Sequence, residues 1–153
     1  MKTNTHRNVG AAVLLLGGLA GASSAQAVAI EGALGAPSSA TDVYLFVCPS
    51  GIGASAVARV QDMPPIAAPL VSLQMSKYGT NATGPFAINV TDSSDGNDLF
   101  SNQVTLGKGG GTYTLLVDKT GAGVEAYRVF AICTTIDGLD SITPGSVQQT
   151  QNE

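Results

Sequence analysis

At 153 residues, with 44% hydrophobic, only 12% charged and no tryptophan, the chain is sized for one domain whose core is built from small side chains. Seven Lys/Arg against eleven Asp/Glu give a formal net charge of −4, and a surface of that sign repels phosphate backbones, which argues against a nucleic-acid partner. No cluster of basic residues marks a face for an anionic membrane.

The first residues read as a bacterial secretory signal peptide. Lys2 and Arg7 form a basic start, Val9 to Ala22 an apolar run, and Ser23-Ser24-Ala25-Gln26-Ala27 ends in a small-x-small cleavage pattern. The run is short for a membrane span, which needs roughly 20 residues. No cysteine follows it where a lipoprotein would carry one. Cleavage after Ala27 leaves a mature chain of about 126 residues. The only histidine, His6, departs with the leader, and the remainder carries five basic residues (Arg59, Lys77, Lys108, Lys119, Arg128) against eleven acidic ones, a net charge of −6. The expected location is therefore outside the cytoplasm, in the periplasm, on the cell surface or in the medium.

Residues 28–40 carry Val28, Ile30 and Leu34 at even spacing before Pro37 and two serines end the pattern. They read either as a first edge strand or as an extension that donates a strand to a neighbouring subunit through main-chain pairing and alternate apolar knobs. Residues 41–137 form the expected sandwich domain. Thr41 to Cys48 is apolar on both faces, Val43, Leu45 and Val47 opposite Tyr44, Phe46 and Cys48, as in a covered central strand. A turn over 49–53 leads to a weaker strand on Ala56, Ala58 and Val60, which Met63-Pro64-Pro65 breaks. Val71, Leu73 and Met75 mark the inward face of the next strand, and Phe86, Ile88 and Val90 that of another, with a loop over 80–85 between them. Leu99 to Leu106 is expected as a strand through Phe100, Val104 and Leu106.

The stretch Gly109 to Cys133 reads as a β-hairpin. Tyr113, Leu115 and Val117 share one face of its first arm, and Tyr127, Val129, Ala131 and Cys133 one face of its second, with Gly121 and Gly123 in the connection. Residues 138–153 read as a polar, mobile tail. Seven or eight short strands with Gly, Pro, Asn and Ser turns and no amphipathic helix predict an all-β fold, a single antiparallel β-sandwich or jelly roll. Cys48 and Cys133 are an even pair in an exported chain, and a disulfide between them is the default expectation.

Gly111-Thr112-Tyr113-Thr114-Leu115-Leu116-Val117 followed by Tyr127-Arg128-Val129 resembles the end of the bacterial pre-peptidase C-terminal domain, and Thr41-Asp42-Val43-Tyr44-Leu45-Phe46 resembles its opening strand. The likeness covers about a third of the mature chain. The family's Asp-Leu-Asp-Leu central strand has no counterpart; Ile88-Asn89-Val90 and Asp98-Leu99-Phe100 are the nearest segments. The resemblance implies a jelly-roll-like accessory for secretion or binding, without catalysis of its own.

Chemistry is sparse in the mature chain. Without histidine there is no Ser-His-Asp or Cys-His nucleophile, and two cysteines alone make a poor tetrahedral zinc site. Gly107-Lys108-Gly109-Gly110-Gly111 lacks the order of a phosphate-binding loop and reads as a turn. The acidic loop Thr91 to Asp98 offers Asp92, Asp95, Asn97 and Asp98 as oxygen ligands for Ca²⁺, or simply forms Asx turns. Two function classes follow. One is an exported, non-catalytic structural or interaction protein that associates with itself or another surface protein. The other is a calcium-assisted carbohydrate-binding module directed at an extracellular glycan. Neither reading makes the chain an enzyme.

Overall fold

A computed structural model describes residues 27–50, 55–66, 69–77, 86–135 and 137–153. Residues 1–26 of the expected leader, 51–53 of the expected turn and the loop over 80–85 lie outside the described residues. The ten strands are β1 (Val28–Leu34), β2 (Asp42–Cys48), β3 (Ser55–Met63), β4 (Val71–Ser76), β5 (Ala87–Thr91), β6 (Val104–Leu106), β7 (Gly111–Lys119), β8 (Glu125–Thr134), β9 (Ser141–Ile142) and β10 (Val147–Gln151). They form two antiparallel sheets of five strands. Sheet A has the order β1-β8-β3-β6, with β9 paired to the end of β8, and sheet B has the order β10-β2-β7-β4-β5. This is the all-β sandwich the alternation predicts, with two or three more strands than expected.

Almost every connection crosses from one sheet to the other, and the one between β7 and β8 corrects the hairpin expectation. β7 pairs with β2 and β4, whereas β8 pairs with β1 and β3. The segment over 120–124 is thus an arch. Its turn is anchored by the Thr120 N–H on the Leu70 carbonyl (3.0 Å) and the Gly123 N–H on the Ala36 carbonyl (2.9 Å). Each arm has one buried face that is apolar except for a charged residue at the arch end, Lys119 on β7 and Glu125 on β8. An arch lets those faces oppose each other across the core, where a hairpin would set them side by side.

The inner face of sheet B carries the large side chains: Tyr44 and Phe46 on β2, Leu73 and Met75 on β4, Tyr113 and Leu115 on β7. Sheet A answers with small ones at its centre, Ala56, Ala58 and Val60 on β3 and Ala131 on β8. Large against small fills a two-layer core in the way interdigitation requires. β3, which reads as weak in sequence, is therefore a central strand, flanked by β8 and β6. The Phe46 and Tyr113 rings stack at 5.4 Å on the opposite layer.

Other expectations shift locally. The strand foreseen over 99–106 is shortened to β6 because Ser101 ties the incoming chain to β3 first: its N–H donates to the Val60 carbonyl (2.7 Å), and its hydroxyl accepts from the Val60 N–H (3.0 Å). Phe100 then packs on the outer face of sheet A, edge-on to Phe130 at 5.0 Å, with the Arg59 guanidinium 4.4 Å from its ring. Phe86 precedes β5 and is half exposed, leaving Ile88 and Val90 to pack against the core. The polar tail is not loose. β10 forms the edge of sheet B against β2, with Val147 against the core and the Glu153 N–H on Asp42 (3.1 Å). An edge strand held by its backbone needs no apolar alternation, so Gln148 to Gln151 gave no periodic signal.

Cys48 at the end of β2 and Cys133 near the end of β8 are joined by a disulfide, linking sheet B to sheet A. At the opposite end of the same two strands the buried Tyr127 hydroxyl donates to Asp42 and sits 2.6 Å from the Tyr44 hydroxyl. Tyr127 fits because its register partner on β1 is Gly32, where any Cβ would overlap the tyrosine ring and hydroxyl.

Two outcomes follow. Replacing both cysteines by serine removes a cross-link of sequence separation 85, and the chain-entropy relation puts the loss at roughly 4–5 kcal/mol in chemical denaturation; an unchanged denaturation midpoint would contradict it. Gly32→Ala forces β1 away from Tyr127 and is expected to cost about 1–3 kcal/mol, as overpacked cores do, read as a lower melting temperature.

Candidate functional site

The inner faces of β3 and β8 end in charge. Asp62 follows Ala56, Ala58 and Val60 on the inward side of β3, and Glu125 precedes Tyr127 and Val129 on the inward side of β8; both carboxylates are fully buried. Their strands are neighbours, with Asp62 opposite Tyr127, so Glu125 lies one inward position further along the same face. Asp95, half-buried, enters from the loop after β5. One carboxylate oxygen from each of Asp62, Asp95 and Glu125 lies within 4.8 Å of the other two.

The backbone around this group is well tied. Asp62 Oδ2 accepts from the Val71 N–H (2.9 Å), which links sheet A to the start of β4. Asp92 Oδ2 accepts from the Asp62 N–H (2.9 Å), its Oδ1 from the Ser94 N–H (3.2 Å), and its own N–H donates to the Val71 carbonyl (2.9 Å). The carboxylates themselves are not all satisfied: Asp62 Oδ1 and both Glu125 oxygens meet no hydrogen-bond donor among the described residues. Burial is the first cause that pushes the Asp62 carboxyl up to about 6, against the Val71 hydrogen bond and with Asp95, Glu125 and Asp92 adding repulsion. Glu125 is also raised, first by burial and then by Asp95, with the Lys119 ammonium pulling the other way. Lys119 spends hydrogen bonds on the carbonyls of Gly35 and Gly123.

The four ligands proposed from the acidic loop are placed differently from one another. Asp95 joins the buried group. Asp92 serves the backbone of Asp62 and Ser94. Asn97 is exposed, its Oδ1 accepting from the Leu99 N–H (2.9 Å) in an Asx turn, and Asp98 is exposed with φ 60°. Asp62 and Glu125 were not singled out in sequence, although a signal existed: each is an acid at an inward position of an otherwise apolar face.

The other expected elements also have defined places. Ile30 and Leu34 are buried in the chain's own core and Val28 packs against it, because β1 pairs with β8 along its full length; here the segment is the edge strand of its own sheet rather than a free extension. The glycine-rich turn presents carbonyls, not amides. Those of Lys108, Gly109 and Gly110 converge on the Lys77 ammonium at 2.8, 2.8 and 2.5 Å, and that ammonium lies 4.8 Å from the Tyr113 ring. A ring of oxygens around a buried cation is the opposite of a phosphate cradle. No family model, no curated protein and no solved structure matches the chain.

The raised Asp62 carboxyl has a consequence for the chelator-treated protein. Folded Asp62 holds its proton up to about pH 6, whereas an unfolded aspartate releases it near 3.9. The folded state binds more protons in that window, so this group's contribution is fully present below it and is lost as pH rises through about 6. In EDTA the melting temperature is expected to fall between pH 5 and pH 7 by more in the wild type than in Asp62→Asn; equal slopes would contradict the assignment.

Proposed function

We propose that this chain is an exported structural or interaction protein, a non-catalytic sandwich that joins copies of itself through the outer edge of β1. The observation that carries the reading is that edge. β1 has seven residues and pairs only with β8 among the described residues. Its other side offers a row of backbone N–H and C=O groups, flanked by the small exposed side chains of Ala29 and Ala33 and by Glu31. Unprotected edges of this length are where strand addition occurs, with main-chain bonds supplying affinity.

Export is supported by the leader-like first residues and by the disulfide. A calcium-assisted carbohydrate module needs a cation with coordination positions open to solvent. Asp62 and Glu125 are fully buried between the sheets, which favours the structural reading.

Light scattering coupled to size exclusion, with negative-stain electron microscopy, tests this on protein beginning at Val28. Assemblies are expected at micromolar concentration, and Ala29→Lys with Ala33→Lys is expected to dissolve them while leaving the melting temperature within a few degrees, since charged edges block pairing without touching the core. A wild type that remains monomeric throughout the concentration range would remove the proposal.

A further inference from the structure

Asp62 and Glu125, buried where the inner faces of β3 and β8 end in charge, carry oxygens to which the described side chains supply no hydrogen-bond donor. Three acids converge within 4.8 Å. Glu125 is fully buried with neither oxygen hydrogen-bonded, and Asp62, equally buried, turns Oδ1 into the same space without a donor. Leaving a buried ionised group unmatched costs several kcal/mol, far more than a surface charge. Lys119 is the cation that acts on Glu125, yet the hydrogen bonds of its ammonium go to the Gly35 and Gly123 carbonyls and none reaches a Glu125 oxygen.

We propose that Asp62, Asp95 and Glu125 form a binding site for a hard divalent cation, Ca²⁺ in particular, that ties the end of β3 and the start of β8 to the loop after β5. The chemistry agrees in kind and in size. All the ligand atoms are carboxylate oxygens, the donor preferred by Ca²⁺, and three carboxylates offer up to six oxygens of the six to eight it takes. At Ca–O distances of about 2.3–2.6 Å, oxygens on opposite sides of the ion stand roughly 4.6–5.2 Å apart, which accommodates the 4.8 Å spread. Mg²⁺ at about 2.0–2.1 Å would need a tighter cluster and dehydrates reluctantly. The site is structural: it lies between layers, at the end of the sandwich that the disulfide does not pin. It does not depend on how the β1 edge is used.

The experiment uses the full folded protein, stripped with EDTA and exchanged into metal-free buffer, titrated with CaCl₂ by calorimetry and melted with and without the ion. One Ca²⁺ per chain is expected, with a melting temperature higher by roughly 5 °C or more at saturation, as a ligand specific to the native state produces. Glu125→Gln, which keeps the shape and removes the charge, should weaken binding at least about tenfold, as loss of a charged ligand does, and Asp98→Asn, at an exposed acid outside the group, should leave it unchanged. Should the buried variant fail to fold, Asp95→Asn on the loop carries the same expectation. No binding heat and no thermal shift at about 10 mM Ca²⁺, an equal shift with Mg²⁺, a loss in Asp98→Asn, or wild-type affinity in a folded Glu125→Gln or Asp95→Asn would each overturn the proposal.

Discussion

The ties between β2 and β8 set the spacing of the two sheets, and the remaining packing follows from that spacing. These strands belong to different layers and face each other across the interior. The Cys48–Cys133 bond joins them at one end, and Tyr127, hydrogen-bonded to Asp42 beside Tyr44, joins them at the other. A hydrogen bond to a charged acceptor contributes about 1.5–3 kcal/mol net, and a long-loop disulfide somewhat more. That help matters in a core where Ala56, Ala58 and Ala131 occupy central positions and no tryptophan is present, since each alanine buries little apolar area.

Crossing connections follow from the same constraint. A strand with one fully buried face needs an apolar layer opposite, and a chain that alternates between sheets builds both layers as it goes. The arch between β7 and β8 is the clearest case, because it sets Tyr113, Leu115 and Val117 across from Tyr127, Val129 and Ala131. It also determines where charge collects. By returning into sheet A, the chain places Glu125 near the end of β3, where an oxygen each of Asp62 and Asp95 lies within 4.8 Å of it. Acid convergence, buried tyrosines and cross-linked ends are one arrangement seen from three positions.

The layers were legible in sequence wherever buried positions alternate with less buried, more polar ones, as in β4, β7 and β8. β2, apolar on both faces, reads instead as a covered central strand, and the two cysteines pair as expected. Partner choice was not legible, because period-two alternation records which side is buried but not which strand lies alongside; a hairpin and an arch share the same pattern over 111–133. β10 escaped because edge strands are held by backbone bonds that leave no mark on side-chain periodicity. The candidate cation group was half visible. Asp95 stands in the Asp-rich loop among acids that mostly serve turns, whereas Asp62 and Glu125 are isolated acids whose inward register is implied by alternation but whose proximity emerges only once β3 and β8 lie side by side in sheet A.

Solution NMR of the oxidised protein tests the arch most directly, through amide and Hα contacts between strands. The account predicts contacts that pair Asp118 with Ser72 across β7 and β4, and Arg128 with Gln61 across β8 and β3. Contacts pairing β7 directly with β8 across the turn over 120–124 would contradict it, and with it the convergence of Asp62, Asp95 and Glu125.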